Sequence, residues 1–158
     1  MRSLAAIVIA LSLAGSLPGP GVLVPGESLG GLRLGMTQPQ VRAAWGSRYG
    51  LCRSCADPTW YYTYRKFAPA GAGLSFRNGR VVAVFTVWAP TGWRTSRGLT
   101  IGDPEARVTD VYGTLLRFHC GSYDALVATR GKTQTAIYVY DGKVWGFGLS
   151  SAAAPVCH

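Results

Sequence analysis

Gly98-Leu99-Thr100-Ile101-Gly102-Asp103-Pro104-Glu105-Ala106-Arg107-Val108-Thr109-Asp110-Val111-Tyr112-Gly113 is the stretch that decides the fold of this 158-residue chain. It has an earlier copy, Gly31-Leu32-Arg33-Leu34-Gly35-Met36-Thr37-Gln38-Pro39-Gln40-Val41-Arg42-Ala43-Ala44-Trp45-Gly46. Gly31 and Gly98 stand 67 positions apart, and the same offset carries Leu34 to Ile101, Gly35 to Gly102, Val41 to Val108, Trp45 to Tyr112 and Gly46 to Gly113. Matches at one fixed offset, without a gap, imply a duplicated structural unit. Each copy reads as an extended entry, a glycine turn and a short helix. Gly35 and Gly102 supply positive φ cheaply. Thr37 caps the first helix with Gln40 at capping-box spacing, and Asp103 caps the second with Pro104 at its first position. Val41 with Trp45, and Val108 with Tyr112, form i,i+4 pairs on one face. Gly46 and Gly113 end the helices. Helices this short need a sheet to lie on.

Outward from these copies, residues 1–14 read as a signal peptide, with Arg2 before the apolar run Leu4–Leu13 and a small-x-small cleavage site at Ser12-Leu13-Ala14. That run is too short for a transmembrane helix. Residues 15–26, rich in Pro and Gly, read as a flexible leader. Repeat 1 then covers 27–89, a linker 90–97, and repeat 2 98–158. The formal net charge is +9, with the basic residues scattered, which argues against a nucleic-acid-binding arm.

After the first helix, 49–58 reads as a loop and Trp60–Tyr64 as a strand. Leu74–Arg77 and Arg80–Trp88 form a hairpin about Asn78-Gly79, the strongest short turn signal. In the second half Tyr123–Thr129 is a strand, and Ala136–Tyr140 with Lys143–Phe147 form a hairpin about Asp141-Gly142. Strict alternation then assigns faces. Leu74, Phe76, Val81, Ala83, Phe85 and Val87 turn toward the helix, as do Ile137, Val139, Val144, Gly146 and Gly148. The open face receives Ser75, Arg77, Arg80, Val82, Val84, Thr86 and Trp88 from the first hairpin. From the second it receives Tyr138, Tyr140, Lys143, Trp145 and Phe147. The predicted fold class is α+β: two tandem repeats, each a short helix on an antiparallel sheet.

Cys52, Cys55, Cys120 and Cys157 in an exported chain suggest two disulfides of three possible connectivities; Cys52–Cys55 and Cys120–Cys157 are favoured. A zinc reading would combine these thiols with His119 and His158, but an oxidising compartment argues against it. Gly26-Glu27-Ser28-Leu29-Gly30 matches a nucleophile elbow without the strand-to-helix context that motif needs. Both histidines adjoin cysteines, the 7 acids are scattered, and neither a phosphate loop nor a dinucleotide fingerprint is present. No enzyme, cofactor or metal is therefore predicted.

The pattern Gly-x-x-Leu-Gly-Met-Thr-x-x-x-Val from Gly31 to Val41, echoed at Gly98–Val108, resembles the tandem-repeat fold of β-lactamase inhibitory protein. It is also similar to the single-unit outer-membrane assembly lipoproteins of the SmpA/OmlA type. The resemblance implies two sheets set side by side into one surface that grips a protein partner, with a disulfide in each repeat. This chain departs in cysteine spacing and lacks a counterpart of the acidic loop that enters the lactamase site.

Tyr, Trp and Arg are enriched at binding hot spots, and a contiguous aromatic patch marks an interaction site. The open face, with Tyr138, Tyr140, Lys143, Trp145, Phe147, Arg77, Arg80 and Trp88, is therefore the candidate surface of a secreted or cell-wall-space binding module. Its partner would be a protein, such as an exported enzyme held inhibitor-fashion. The alternative is a cell-envelope structural or assembly factor that contacts anionic polymers or lipid headgroups through its charge. The same face would also serve as an interface between the two halves or within a homodimer.

Overall fold

The computed structural model describes residues 20–158. The signal peptide read at 1–14 and the start of the leader lie outside the described residues. In chain order the elements are β1 (Val22–Val24), β2 (Ser28–Leu29), α1 (Gln38–Trp45), β3 (Gly50–Cys52), β4 (Thr59–Thr63), β5 (Gly71–Arg77) and β6 (Arg80–Val87). There follow β7 (Arg94–Thr95), α2 (Glu105–Tyr112), β8 (Leu116–His119), β9 (Asp124–Arg130), β10 (Thr133–Tyr140) and β11 (Lys143–Ser151). The chain is α+β. Among the described residues no helix is long and apolar enough to cross a membrane.

Both copies of the quoted stretch build the same local structure. Gly35 at φ 84° and Gly102 at φ 92° make the turns, in a region where a side chain is strained. The Gly35 N–H donates to the Val81 carbonyl (2.8 Å), and the Val81 N–H returns a bond to Met36 (2.9 Å). In the second half Gly102 donates to Val144 (2.8 Å) and Val144 to Asp103 (2.7 Å). Each turn is thus fastened to the strand that leaves its hairpin tip. Val41, Trp45 and Val108 are buried. The Thr37 N–H donates to Gln40 Oε1 at 2.8 Å in the anticipated capping box. The second cap differs from expectation. Pro104 is the N-cap, and Asp103 instead accepts from the Thr100 N–H at 2.7 Å and pairs with Arg107.

Eight strands form one antiparallel sheet in the order β3-β4-β5-β6-β11-β10-β9-β8. Each run of four is a meander of adjacent neighbours, and the two runs meet where β6 pairs β11 through Phe85↔Gly148, Val84↔Leu149 and Ala83↔Ser150. One face carries the main core, including Trp45, Tyr62, Leu74, Phe76, Val84, Ile137, Phe147 and Leu149. At about 25 cal/mol per Å² of apolar surface removed from water, such a continuous cluster is the dominant favourable term in folding.

Three readings are corrected by the ends of these elements. The supposed flexible leader is structured from β1 onward: Val22–Val24 pairs β2 antiparallel and β7 parallel, and Leu23 is fully buried. Its glycine reflects close approach rather than mobility, since a Cβ at Gly21 would sit 2.7 Å from Gly30 Cα and 2.8 Å from the Trp93 ring. The stretch read as a linker holds β7 and the buried Trp93. The loop read at 49–58 contains the edge strand β3.

The hairpin tips fall at Asn78-Gly79 and Asp141-Gly142, both with positive φ. Past each tip the register shifts. Phe76 pairs Val81 but Ser75 pairs Ala83, and Val139 pairs Val144 but Tyr138 pairs Gly146. Val82 and Trp145 are therefore the extra residues of two β-bulges, where two residues oppose one and the alternation slips. The predicted faces consequently reverse beyond each bulge. Val84 and Phe147 join the helix-side core, while Ala83 and Phe85 cross to the opposite face and form a second cluster there with Ala136 and Tyr138 of the unbulged β10.

Candidate binding face

The second cluster means that the face opposite the helices is not bare. Ala83, Phe85, Ala125, Val127, Ala136 and Tyr138 are buried there, flanked by Tyr61, Tyr123, Trp145, Cys120 and Val156. The tail after β11 turns back across this face. Tyr138 Oη donates to the Val156 carbonyl at 2.9 Å. Tyr123 Oη donates to the His158 carbonyl at 2.7 Å and accepts from the His158 N–H at 2.8 Å. The His158 imidazole lies flat on Phe85, centroids 4.0 Å apart and planes within 2°. As a residue His158 keeps exposed surface, but enclosure of its ring pushes the imidazole down to about 4. The Cys120–Cys157 disulfide ties the tail to the end of β8, and Cys52–Cys55 closes the loop after β3. All four thiols are thereby consumed and offer no thiolate to zinc.

The predicted site residues separate into three groups. Tyr138 and Phe147 are interior. Tyr138 is 2% exposed, and burial holds its hydroxyl pKa well above the usual tyrosine value. Gly146 and Gly148 make room for this ring rather than for a helix, because a Cβ at Gly148 would collide with the Tyr138 hydroxyl. Phe147, 0% exposed, belongs to the opposite face and is withdrawn from the site.

Arg77 and Arg80 lie at the wrong end. Antiparallel pairing of β6 with β11 sets the start of β6 beside the end of β11. One strand length, about 3.3 Å per residue, separates these arginines from Lys143 and Trp145. Both are also engaged. Arg77 pairs with Asp57 at 2.6 Å, which raises its pKa, and donates to the Ala153 carbonyl at 3.2 Å. Arg80 donates to the Gly35 carbonyl at 3.0 Å.

The third group stays together. Trp88, at the end of β6, is 62% exposed and Tyr140, at the end of β10, is 51% exposed. Trp145 sits between them, its centroid 6.2 Å from Trp88, 6.3 Å from Tyr140 and 5.2 Å from Tyr123. Lys143 pairs across the strands with Tyr140 and is exposed. Tyr123, read as the first residue of a strand, stands just before β9 and was not counted among the site residues, since faces were assigned only within the two hairpins. Trp88 and Ala89 carry φ of 56° and 45°, a genuine outlier for so bulky a residue as tryptophan.

Next to this group the sheet parts. The β6–β11 ladder stops at Phe85↔Gly148, and the Thr86 hydroxyl takes over by accepting the Phe147 N–H at 2.8 Å. Beyond it a pocket of about 410 Å³ opens, walled by Tyr61, Val87, Trp88, Tyr138, Trp145 and His158 among others. None of its ten lining residues is Lys, Arg, Asp or Glu. Volume and lining are those of a site for an uncharged, ring-sized group.

No protein-family model matches the chain, and no curated protein matches it. Its fold is similar to that of an extracellular protein containing a SCP domain from Bacillus anthracis, at 12% identity and a TM-score of 0.54. The match covers 75% of this chain and 44% of that one, so the chain spans less than half of that protein's length. It is also similar to a DUF4309 family protein from Bacillus subtilis, at 16% identity and a TM-score of 0.50, covering 73% and 78% of the two chains. At these identities the likeness is one of fold. Neither neighbour is a β-lactamase inhibitory protein or an SmpA/OmlA lipoprotein.

Proposed function

We propose that this protein is a secreted, non-enzymatic binding module of two tandem repeats that holds a protein partner at the aromatic end of its sheet. The observation that carries this reading is the group Trp88, Tyr123, Tyr140 and Trp145, contributed by both halves and standing beside an uncharged pocket. A tryptophan held exposed at positive φ is a local cost, and association recovers such costs where the residue anchors a partner. The pocket next to it accepts one uncharged aromatic or aliphatic side chain of that partner, and Lys143 orients an acidic neighbour. Tandem duplication is supported by the recurrence of a helix and four strands, by the paired turn-to-hairpin bonds and by a bulge at the same place in each hairpin. An extracellular setting is supported by the two disulfides and by a structural neighbour described as extracellular.

The test is capture from the secretome of the producing cells by the wild type and Trp88→Ala in parallel, at low and high salt. A partner retained by the wild type at high salt and lost by the variant supports the reading, because aromatic anchoring survives screening. A partner that both proteins hold equally refutes it.

A further inference from the structure

The loop between β4 and β5 lies at the same end of the sheet and takes no part in the aromatic group. Its tip reads Arg65-Lys66-Phe67. Phe67 is 95% exposed, more than any other large hydrophobic residue described. It holds φ at 65°, in the left-handed region that phenylalanine rarely enters. The Lys66 ammonium lies 5.2 Å from its ring, an exposed contact of small worth. The loop is nevertheless built rather than loose. Tyr64 N–H bonds the Ala70 carbonyl at 3.1 Å and Ala68 N–H the Arg65 carbonyl at 3.2 Å. Its base is fastened where the buried Trp93 Nε1 donates to Tyr64 Oη at 2.5 Å. A fixed base thus presents one apolar ring between solvent and two cations.

The two charges of this loop, Arg65 and Lys66, have a single sign, and the chain from residue 58 to residue 76 contains no Asp or Glu. An apolar tip with flanking cations matches the two-part chemistry of an anionic bilayer: headgroups attract the cations, and the acyl boundary takes the ring. A soluble anionic polymer would use the cations and leave the ring in water.

We infer that Arg65, Lys66 and Phe67 form a finger that seats this protein on an anionic phospholipid surface, Phe67 entering the interface and the two cations contacting headgroups. Pro69 of the same loop lines the pocket beside the aromatic group, but Arg65, Lys66 and Phe67 do not, so variants at these three test the seat independently of the protein-binding group.

The experiment is flotation of the full chain with vesicles of phosphatidylglycerol or of phosphatidylcholine. Binding should occur on the anionic vesicles and weaken with salt. Phe67→Ala should lower the partition coefficient roughly tenfold, and Arg65→Gln or Lys66→Gln roughly fivefold each. Phe67→Trp should gain fluorescence quenching, above the wild-type level, on vesicles with brominated acyl chains. Thermal unfolding of Phe67→Ala should match the wild type, since the ring packs on no core. Absence of vesicle binding overturns the inference. So does equal binding by Phe67→Ala and the wild type, which would reduce the contact to charge alone.

Discussion

Removing the Cys120–Cys157 bond should free the tail while leaving the sheet folded. Ordering Ala152–His158 costs roughly 1–1.5 kcal/mol per residue, or about 7–10 kcal/mol. The tail is held by bonds from Ala152 N–H to the Lys132 carbonyl, from Arg77 to Ala153, from Tyr138 to Val156 and by the two between Tyr123 and His158. At about 1 kcal/mol each these contribute about 5 kcal/mol, and the ring stacked on Phe85 adds about 1 kcal/mol. The noncovalent contacts therefore fall short by a few kcal/mol. A cross-link spanning 37 positions contributes about 4 kcal/mol, enough to close the gap. In Cys120→Ser/Cys157→Ser the Ala152, Ala154 and His158 amides should lose protection from hydrogen exchange, while amides of β10 and β11 keep theirs. Phe85 and Tyr138 should become accessible, and a dye that binds apolar surface should report it. Tail amides as protected in the double variant as in the wild type would refute this division of labour.

Acid should act on the same tail. The His158 imidazole is held near 4 in the folded protein against about 6.5 when free. Tail docking is then fully favourable above about 6.5 and weakens as pH falls toward 4; tail-amide exchange across that window checks it. Phe147→Ala should cost about 3–5 kcal/mol in chemical denaturation, because the ring is in the core; a loss below 1 kcal/mol would return it to the surface. Thr86→Ala should leave the Phe147 N–H unpaired and cost about 1–3 kcal/mol, with Thr86→Ser restoring most of it. Trp88→Gly should leave stability unchanged or raise it by up to about 1 kcal/mol, since glycine accepts φ of 56° without strain, while partner capture is lost.

The repeated stretch made much of this architecture legible before any coordinates. Gly35, Gly46, Gly102 and Gly113 each sit at positive φ, where a turn or a helix end needs them, and Asn-Gly and Asp-Gly mark the tips. What stayed hidden was the slip of register. A bulge at Val82 or Trp145 has no residue signature of its own, because either residue also suits regular strand. One unseen insertion sends Phe147 inside, while the returning tail covers Tyr138 on the face where alternation had put it, and these two separate causes withdraw two residues of the predicted surface. Tyr140 and Lys143 were placed together because both lie on the tip side of their bulge and Trp145 is the bulged residue itself, whereas Trp88 lies beyond the Val82 bulge and stands beside Trp145 where the chain turns at positive φ. Arg77 and Arg80 were misplaced for another reason: alternation assigns faces but not ends. The ends depend on the direction in which β6 meets β11, a long-range pairing that no local pattern encodes. The strand at 22–24 was concealed by composition, since glycine and proline suit close packing as readily as flexibility.

The three-pair junction between β6 and β11 also bears on how the polypeptide is made. Within each run of four strands every neighbour is also the neighbour in sequence, so each meander can assemble quickly from local contacts. The pairing of Ala83–Phe85 with Gly148–Ser150 must wait for chain synthesized some 65 residues later. During that interval β6 is an open, valine-rich border, the kind of edge that recruits strands from other molecules. For a chain delivered from its N-terminus, arrival of the second half before two nascent first halves meet is then a race against misassembly. A chaperone that shields residues 80–87 should raise the yield of the native protein more than one that shields any other strand.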